Sequence, residues 1–181
     1  MDACLMLADN ANVFIEGRKF SARQKGLIRQ AQDQREPIDW QWRIDFGSLL
    51  RQAANGHRII KAILVGSTPP PNDSLWKAAE SQGFEVITHA RSPITGEEKA
   101  VDAELIARGV ESICDHKTPA ILKLLSGDRD FLPLITTASR RGWETELWGF
   151  NISISVELSQ AVSRVHLLDD VFDKIGKADP S

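Results

Sequence analysis

Short aliphatic runs alternate along this chain with longer segments whose apolar residues recur every three to four positions. The runs are Ala3 to Ala8, Arg58 to Gly66, Phe84 to Thr88, Ile121 to Leu125, Trp143 to Trp148 and Val165 to Leu168. Their length and branching predict strands, the earlier ones buried on both faces. Trp40, Trp42 and Ile44 alternate with Gln41 and Arg43, a further short extended signal. Between these runs lie helical patterns. One starts at Val13. A second, capped by Asp45, carries Phe46, Leu49, Leu50 and Ala53 and ends near Asn55-Gly56. Others are predicted from about Asp73 to Gln82, from Lys99 past Ile113, from Asp130 to Arg141 with Pro133 in the first turn, around Val156 to Ala161, and briefly around Val171. Residues 177–181 read as a frayed tail. Strand and helix alternate throughout, so the chain is expected to be α/β. A central, mainly parallel sheet of about five or six strands should carry helices on both faces, joined by right-handed crossovers. One domain is expected over 1–170, with a basic insert at about 17–36, followed by a C-terminal helix and tail at 171–181.

Composition narrows the function. At 181 residues, 42% hydrophobic and 26% charged, the chain suits one domain with a full core. The net charge of -3 makes it no polycation, so any contact with nucleic acid needs a local basic patch. One candidate is the basic stretch from Gly17 to Arg35: Arg18, Lys19, Arg23, Lys25, Arg29 and Arg35 are opposed within it only by Asp33. Such a stretch reads either as a solvated helix and loop or as a flank that holds phosphates. The two tryptophans, Trp40 and Trp42, are read as covering the core, with base stacking as the alternative. Cys4 and Cys114 lack metal-ligand spacing and read as reduced core thiols. The four histidines are scattered, without catalytic spacing. No run approaches the ~18 apolar residues of a membrane span, and a signal peptide is not expected. The cytoplasm is the expected location.

The chemistry concentrates at Ala120 to Pro133. There an apolar strand ends in Ser126-Gly127, is followed by Asp128 and Asp130, and gives way to a helix. A parallel strand that ends this way sets its acids at the carboxyl edge of the sheet, where open α/β sheets bind ligands. Asp9 follows the first strand, and Asp102 lies in the first turn of the helix before Ile121. Each acid alone is explained as a turn or cap residue, as are Asn10 and Asn12. Together they have a common geometry, because the first strand and the one at Ile121 can be neighbours at the switch point of a doubly wound sheet. Carboxylates so gathered repel by about 4 kcal/mol per pair at 4 Å in an effective dielectric of ~20. Proton uptake or a cation would offset this, and all-oxygen ligands without Cys or His clusters favour Mg²⁺ or Mn²⁺. Asp9, Asp102, Asp128 and Asp130 are therefore candidate metal ligands and catalytic residues for phosphodiester hydrolysis.

At Asp9-Asn10-Ala11-Asn12, Lys99-Ala100-Val101-Asp102 and Ser126-Gly127-Asp128-Arg129-Asp130-Phe131, together with Glu146-Leu147-Trp148, the chain resembles the NYN domain family. It looks closest to the bacterial LabA-like branch of the PIN-like nucleases, over roughly Ala3 to Leu168. The resemblance implies a three-layer PIN-like fold and a metal-dependent ribonuclease site. Asp9, Asp102 and Asp128 would be the principal metal carboxylates, with Asp130 an additional ligand or water-orienting acid. Asn12 and Ser126 would support the site by hydrogen bonding, and Asn10 and Lys99 belong to the same motifs.

The expected function is thus a Mg²⁺- or Mn²⁺-dependent ribonuclease. A catalytically weak RNA-binding or regulatory module of the same fold is the alternative, and a metal-dependent phosphatase a lesser one. RNA is the expected partner and a membrane is not; a homodimer is left open.

Overall fold

The computed structural model describes residues 2–27, 36–68, 73–90 and 99–178. Its strands are β1 (Ala3–Asp9), β2 (Trp42–Ile44), β3 (Arg58–Thr68), β4 (Glu85–Ala90), β5 (Ile121–Leu125), β6 (Glu144–Gly149), β7 (Arg164–Leu167) and β8 (Gly176–Ala178). Its helices are α1 (Glu16–Gln24), α2 (Phe46–Ala54), α3 (Asp73–Ser81), α4 (Lys99–Asp115), α5 (Leu132–Arg140), α6 (Val156–Ala161) and α7 (Phe172–Ile175).

Six strands form one parallel sheet in the order β4-β3-β1-β5-β6-β7. β1 is central because both its faces are buried. Cys4, Met6 and Ala8 point into one core and Leu5 and Leu7 into the other, the period of two that a pleated strand imposes. The first core takes Phe46, Leu49 and Ala53 of α2, Trp76 and Ala79 of α3, and Ile175 of α7. The second takes Val101 and Leu105 of α4, Leu134 and Ile135 of α5, and Leu158 of α6. The result is the three-layer α/β architecture that the alternation of strands and helices predicts. From β1 the chain builds outward through β3 and β4, then returns to build β5, β6 and β7 on the other side. The order therefore reverses between β1 and β5, whose carboxyl ends open a crevice.

Local expectations at α2 hold in detail. The Asp45 side chain accepts the Ser48 N–H at 2.9 Å, and the helix ends in the left-handed Asn55. Four features differ from expectation. Residues 177 and 178, read as a frayed tail, belong to β8, which pairs antiparallel with β2. Only Trp42 of the two tryptophans is buried; Trp40 is 66% exposed. Cys4 is buried but Cys114 is exposed, and both are free thiols. The segment after β1 opens not as an α-helix but as a π-helical turn, Ala11–Ile15.

β2 and β8 have a definite task. They hold the Trp42 ring between α1 and the C-terminal segment, stacked on Phe172 with centroids 5.4 Å apart. A Cβ at Gly17 would stand 2.5 Å from that ring, so α1 can lie this close only with glycine there.

Candidate active site

The crevice between β1 and β5 is where the predicted acids arrive. Asp9 is the last residue of β1, Asp102 lies in the first turn of α4, and Asp128 and Asp130 follow β5. One carboxylate oxygen each from Asp102, Asp128 and Asp130 lies within 4.8 Å of the others. Among the described residues, no other three His, Cys, Asp or Glu side chains gather so closely. Asp9, Asp102 and Asp128 share the wall of a cavity of about 340 Å³ with Asn12 and Glu16, while Ala11 and Ile15 form its apolar side. The four aspartates thus form two overlapping sets joined by Asp102 and Asp128. Asp130 stands at the rim and Asp9 at the floor.

Hydrogen bonds fix this arrangement. Asp9 accepts the Ala11 N–H through Oδ1 at 3.0 Å and the Ser126 hydroxyl through Oδ2 at 3.3 Å. Ser126 Oγ in turn accepts the Asp128 N–H at 3.3 Å, and Asp128 Oδ1 accepts the Asp130 N–H at 3.0 Å. Asn12 Oδ1 accepts the Gly127 N–H at 3.1 Å and the Ser153 hydroxyl at 3.3 Å. The loops after β1, β5 and β6 are therefore tied together around the acids. Gly127 is necessary for the join, because a Cβ there would come within 2.1 Å of the Ser153 carbonyl oxygen.

Asp9 is the electrostatic centre. It is 7% exposed. Burial and then the charge of Asp102 push its carboxyl up to about 7, against hydrogen bonds that favour the charged form. A dication would reverse both costs at once. The donor set is entirely oxygen, which fits a hard ion such as Mg²⁺ or Mn²⁺ and not a thiolate- or imidazole-seeking metal.

Other predicted residues lie elsewhere. Asn10 is buried beneath the neighbouring cleft, and its Oδ1 has no hydrogen-bond partner among the described residues. Lys99 opens α4. Arg29 lies outside the described residues. Within the basic stretch, Lys19 pairs with Glu16 at 2.7 Å and with Glu36 at 3.5 Å, and Arg23 pairs with Glu36 at 3.8 Å. Lys25 pairs with the buried Asp39 at 2.7 Å. These three cations are thus partly neutralised by acids that flank the stretch. Arg18 differs: its guanidinium lies 4.1 Å above the Phe14 ring centroid and 5.1 Å from that of Trp40. Glu16 and Ser153 escaped the sequence reading. Glu16 opens α1 and lies four residues beyond Asn12, a spacing that sets the two on a common helical face. Ser153 carries no such signal, because a loop crossing from β6 brings it in.

A crystal structure of a protein of unknown function from Vibrio parahaemolyticus is similar, with a TM-score of 0.68 at 16% identity, covering 93% of this chain and 94% of that one. That likeness is one of fold. No curated protein matches the sequence. Residues 10–169 match the NYN domain, and this span takes in the β1–β5 crevice and its loops from Asn10 onward. With that match over most of its length, and with acids gathered at the switch point of a parallel sheet, the chain belongs to the NYN domain family of PIN-like, nuclease-type proteins.

Proposed function

We propose that this protein is a divalent-metal-dependent ribonuclease that hydrolyses RNA phosphodiester bonds at Asp9, Asp102, Asp128 and Asp130. The observation that carries the reading is the meeting of three carboxylates within 4.8 Å beside a fourth, buried one whose pKa is raised to about 7. So much negative charge in one crevice calls for a cation, and NYN membership makes a phosphodiester the natural substrate.

Asp9, Asp102, Asp128 and Asp130 are the residues that would hold the ion. Bound there, a divalent cation supplies Lewis-acid charge against the phosphate. The chain does the remainder. Ser126 and the Ala11 N–H orient the Asp9 carboxylate, and the Asp130 N–H orients that of Asp128. Asp130, exposed at the rim, accepts a hydrogen bond from attacking water and aims it at phosphorus. Asn12 holds the Gly127 backbone so that Asp128 faces the cavity.

The test pairs cleavage with binding. Labelled RNA should be cut with Mn²⁺ and left intact in EDTA, and Asp9→Asn and Asp128→Asn should each lower the rate at least ~100-fold. Mn²⁺ at about 100 times its dissociation constant should stabilise the wild type by about 2.7 kcal/mol in thermal unfolding, and Asp128→Asn much less. Cleavage that survives both substitutions rejects the proposal, as does turnover of a simple phosphate monoester without action on RNA.

A further inference from the structure

Next to the acid cavity runs a second depression that the proposed chemistry does not use. Ala11, Phe14, Ile15 and Arg18 are spaced as neighbours on one helical face. Ala11 and Ile15 line the acid cavity and also the adjoining cleft of about 240 Å³, which Phe14, Arg18, Trp40 and Trp76 complete. Past Arg18 the cleft opens into a larger one, about 440 Å³, flanked by Arg43 and Phe46. The acid cavity and the cleft therefore adjoin at Ala11 and Ile15, and Arg18 stands about 10 Å further along the helix from Ala11.

The cleft has a particular chemistry. Trp40 exposes two-thirds of its surface, far more than Trp42. It is held in place: the Asp39 N–H donates to the Arg18 carbonyl at 3.1 Å, and Arg43 donates to the carbonyl of Trp40. Arg18 Nε donates to the Trp42 carbonyl at 3.4 Å. A planar cation thus lies between two aromatic rings, one of them open to solvent. Arg18 and Arg43 also feel each other's charge, and among the described residues neither has a carboxylate within ion-pair distance. The nearby Asp39 is engaged by Lys25. Flat aromatic faces beside guanidinium groups that make no ion pair among the described residues suit an unpaired base followed by its phosphate. In A-form RNA the bases are stacked and paired, so they cannot enter such a cleft.

We infer that the Phe14–Arg18–Trp40 cleft seats an unpaired base of the RNA strand, one nucleotide or more from the scissile phosphate, and so restricts the enzyme to single-stranded segments. The inference rests on the ribonuclease reading for the position of the cut, but not for binding. The experiment therefore measures binding in EDTA, with the full chain and a short labelled oligouridylate, beside its duplex with oligoadenylate. The single strand should bind more tightly than the duplex. Trp40→Ala should weaken it roughly 5- to 100-fold, and Trp40→Phe should restore most of the loss. Arg18→Lys, which keeps the charge but not the stacked plane, should also weaken it. Mn²⁺ binding measured by calorimetry should be the same in all three variants. Equal binding of duplex and single strand, or unchanged affinity in both Trp40→Ala and Arg18→Lys, overturns the inference. Absence of cleavage with single-strand binding and its Trp40 dependence intact overturns the ribonuclease reading and leaves the cleft as a base-binding site.

Discussion

Asp9 holds its proton more tightly in the folded protein than in the unfolded chain, because burial and Asp102 both oppose its charge. Its pKa rises from 3.8 to about 7. Over that interval the folded state binds the proton that the unfolded state has released, so the contribution of Asp9 to the stability of the metal-free protein falls as pH rises from about 4 to 7. Asp9→Asn removes this dependence. In EDTA the variant should be more stable than the wild type at neutral pH, by on the order of 1–4 kcal/mol, and no more stable near pH 4. Urea unfolding across that range checks it, and parallel profiles would contradict it.

Glu146 behaves oppositely. Burial works against its charge, but the Lys123 ammonium at 3.0 Å outweighs that and holds the carboxyl below its ordinary value. Its contribution is present above about pH 4.5 and is lost as pH falls through the lowered pKa. Lys123 is fully buried and has no other carboxylate within ion-pair distance among the described residues. Glu146→Gln should therefore cost about 3–5 kcal/mol in urea unfolding at neutral pH.

At the scale of elements, the same lysine joins a strand to a helix. Lys123 of β5 donates to the Ala53 and Ala54 carbonyls at 2.8 and 3.1 Å, where α2 has run out of its own donors. The loop after β5 depends on a different fit. Gly127→Ala would drive a methyl group into the Ser153 carbonyl, so the loop carrying Asp128 must shift. A loss of about 1–3 kcal/mol in stability is expected, with a larger fall in Mn²⁺ affinity than Ser153→Ala produces. Calorimetric Mn²⁺ titration of the two variants compares them directly.

Much of this level is legible in the chain. Strands buried on both faces read as unbroken apolar runs, and the order of β1, α4 and β5 sufficed to bring Asp9, Asp102 and Asp128 to one crevice. What was not legible depends on tertiary neighbours. β8 is three residues long and exists only because β2 is beside it. Trp40 and Trp42 share one alternating pattern, and only the packing of α1 decides which is buried. The π-helical turn after Asp9 has no distinguishing composition. The pairing of Lys19, Arg23 and Lys25 involves Glu16, Glu36 and Asp39, which lie at or beyond the ends of the basic stretch.

Across the whole molecule, on the proposed reading, a net charge of -3 sets a limit on how RNA would be held. The acids would repel a polyanion at the proposed point of cutting, and Lys19, Arg23 and Lys25 are already paired. Along the cleft, attraction then falls on Arg18 and Arg43. Two phosphate contacts on a single strand should give a slope of log affinity against log salt of only about -1.4, twice the ~0.7 per contact. Affinity measured over a range of KCl concentrations tests this. A much steeper slope would show that cations beyond Arg18 and Arg43 also bind.

The crevice draws Asp9 from the start of the chain, Asp102 from its middle and Asp128 from beyond β5, and Ser153 then ties Gly127 and Asn12 in place. A chain still being synthesised, in a ribosome made largely of RNA, possesses the first of these parts long before the last. On the reading proposed here, no cutting site exists until β5 and the loop after β6 have joined β1, so the order of the strands makes assembly of the whole sheet a condition of activity.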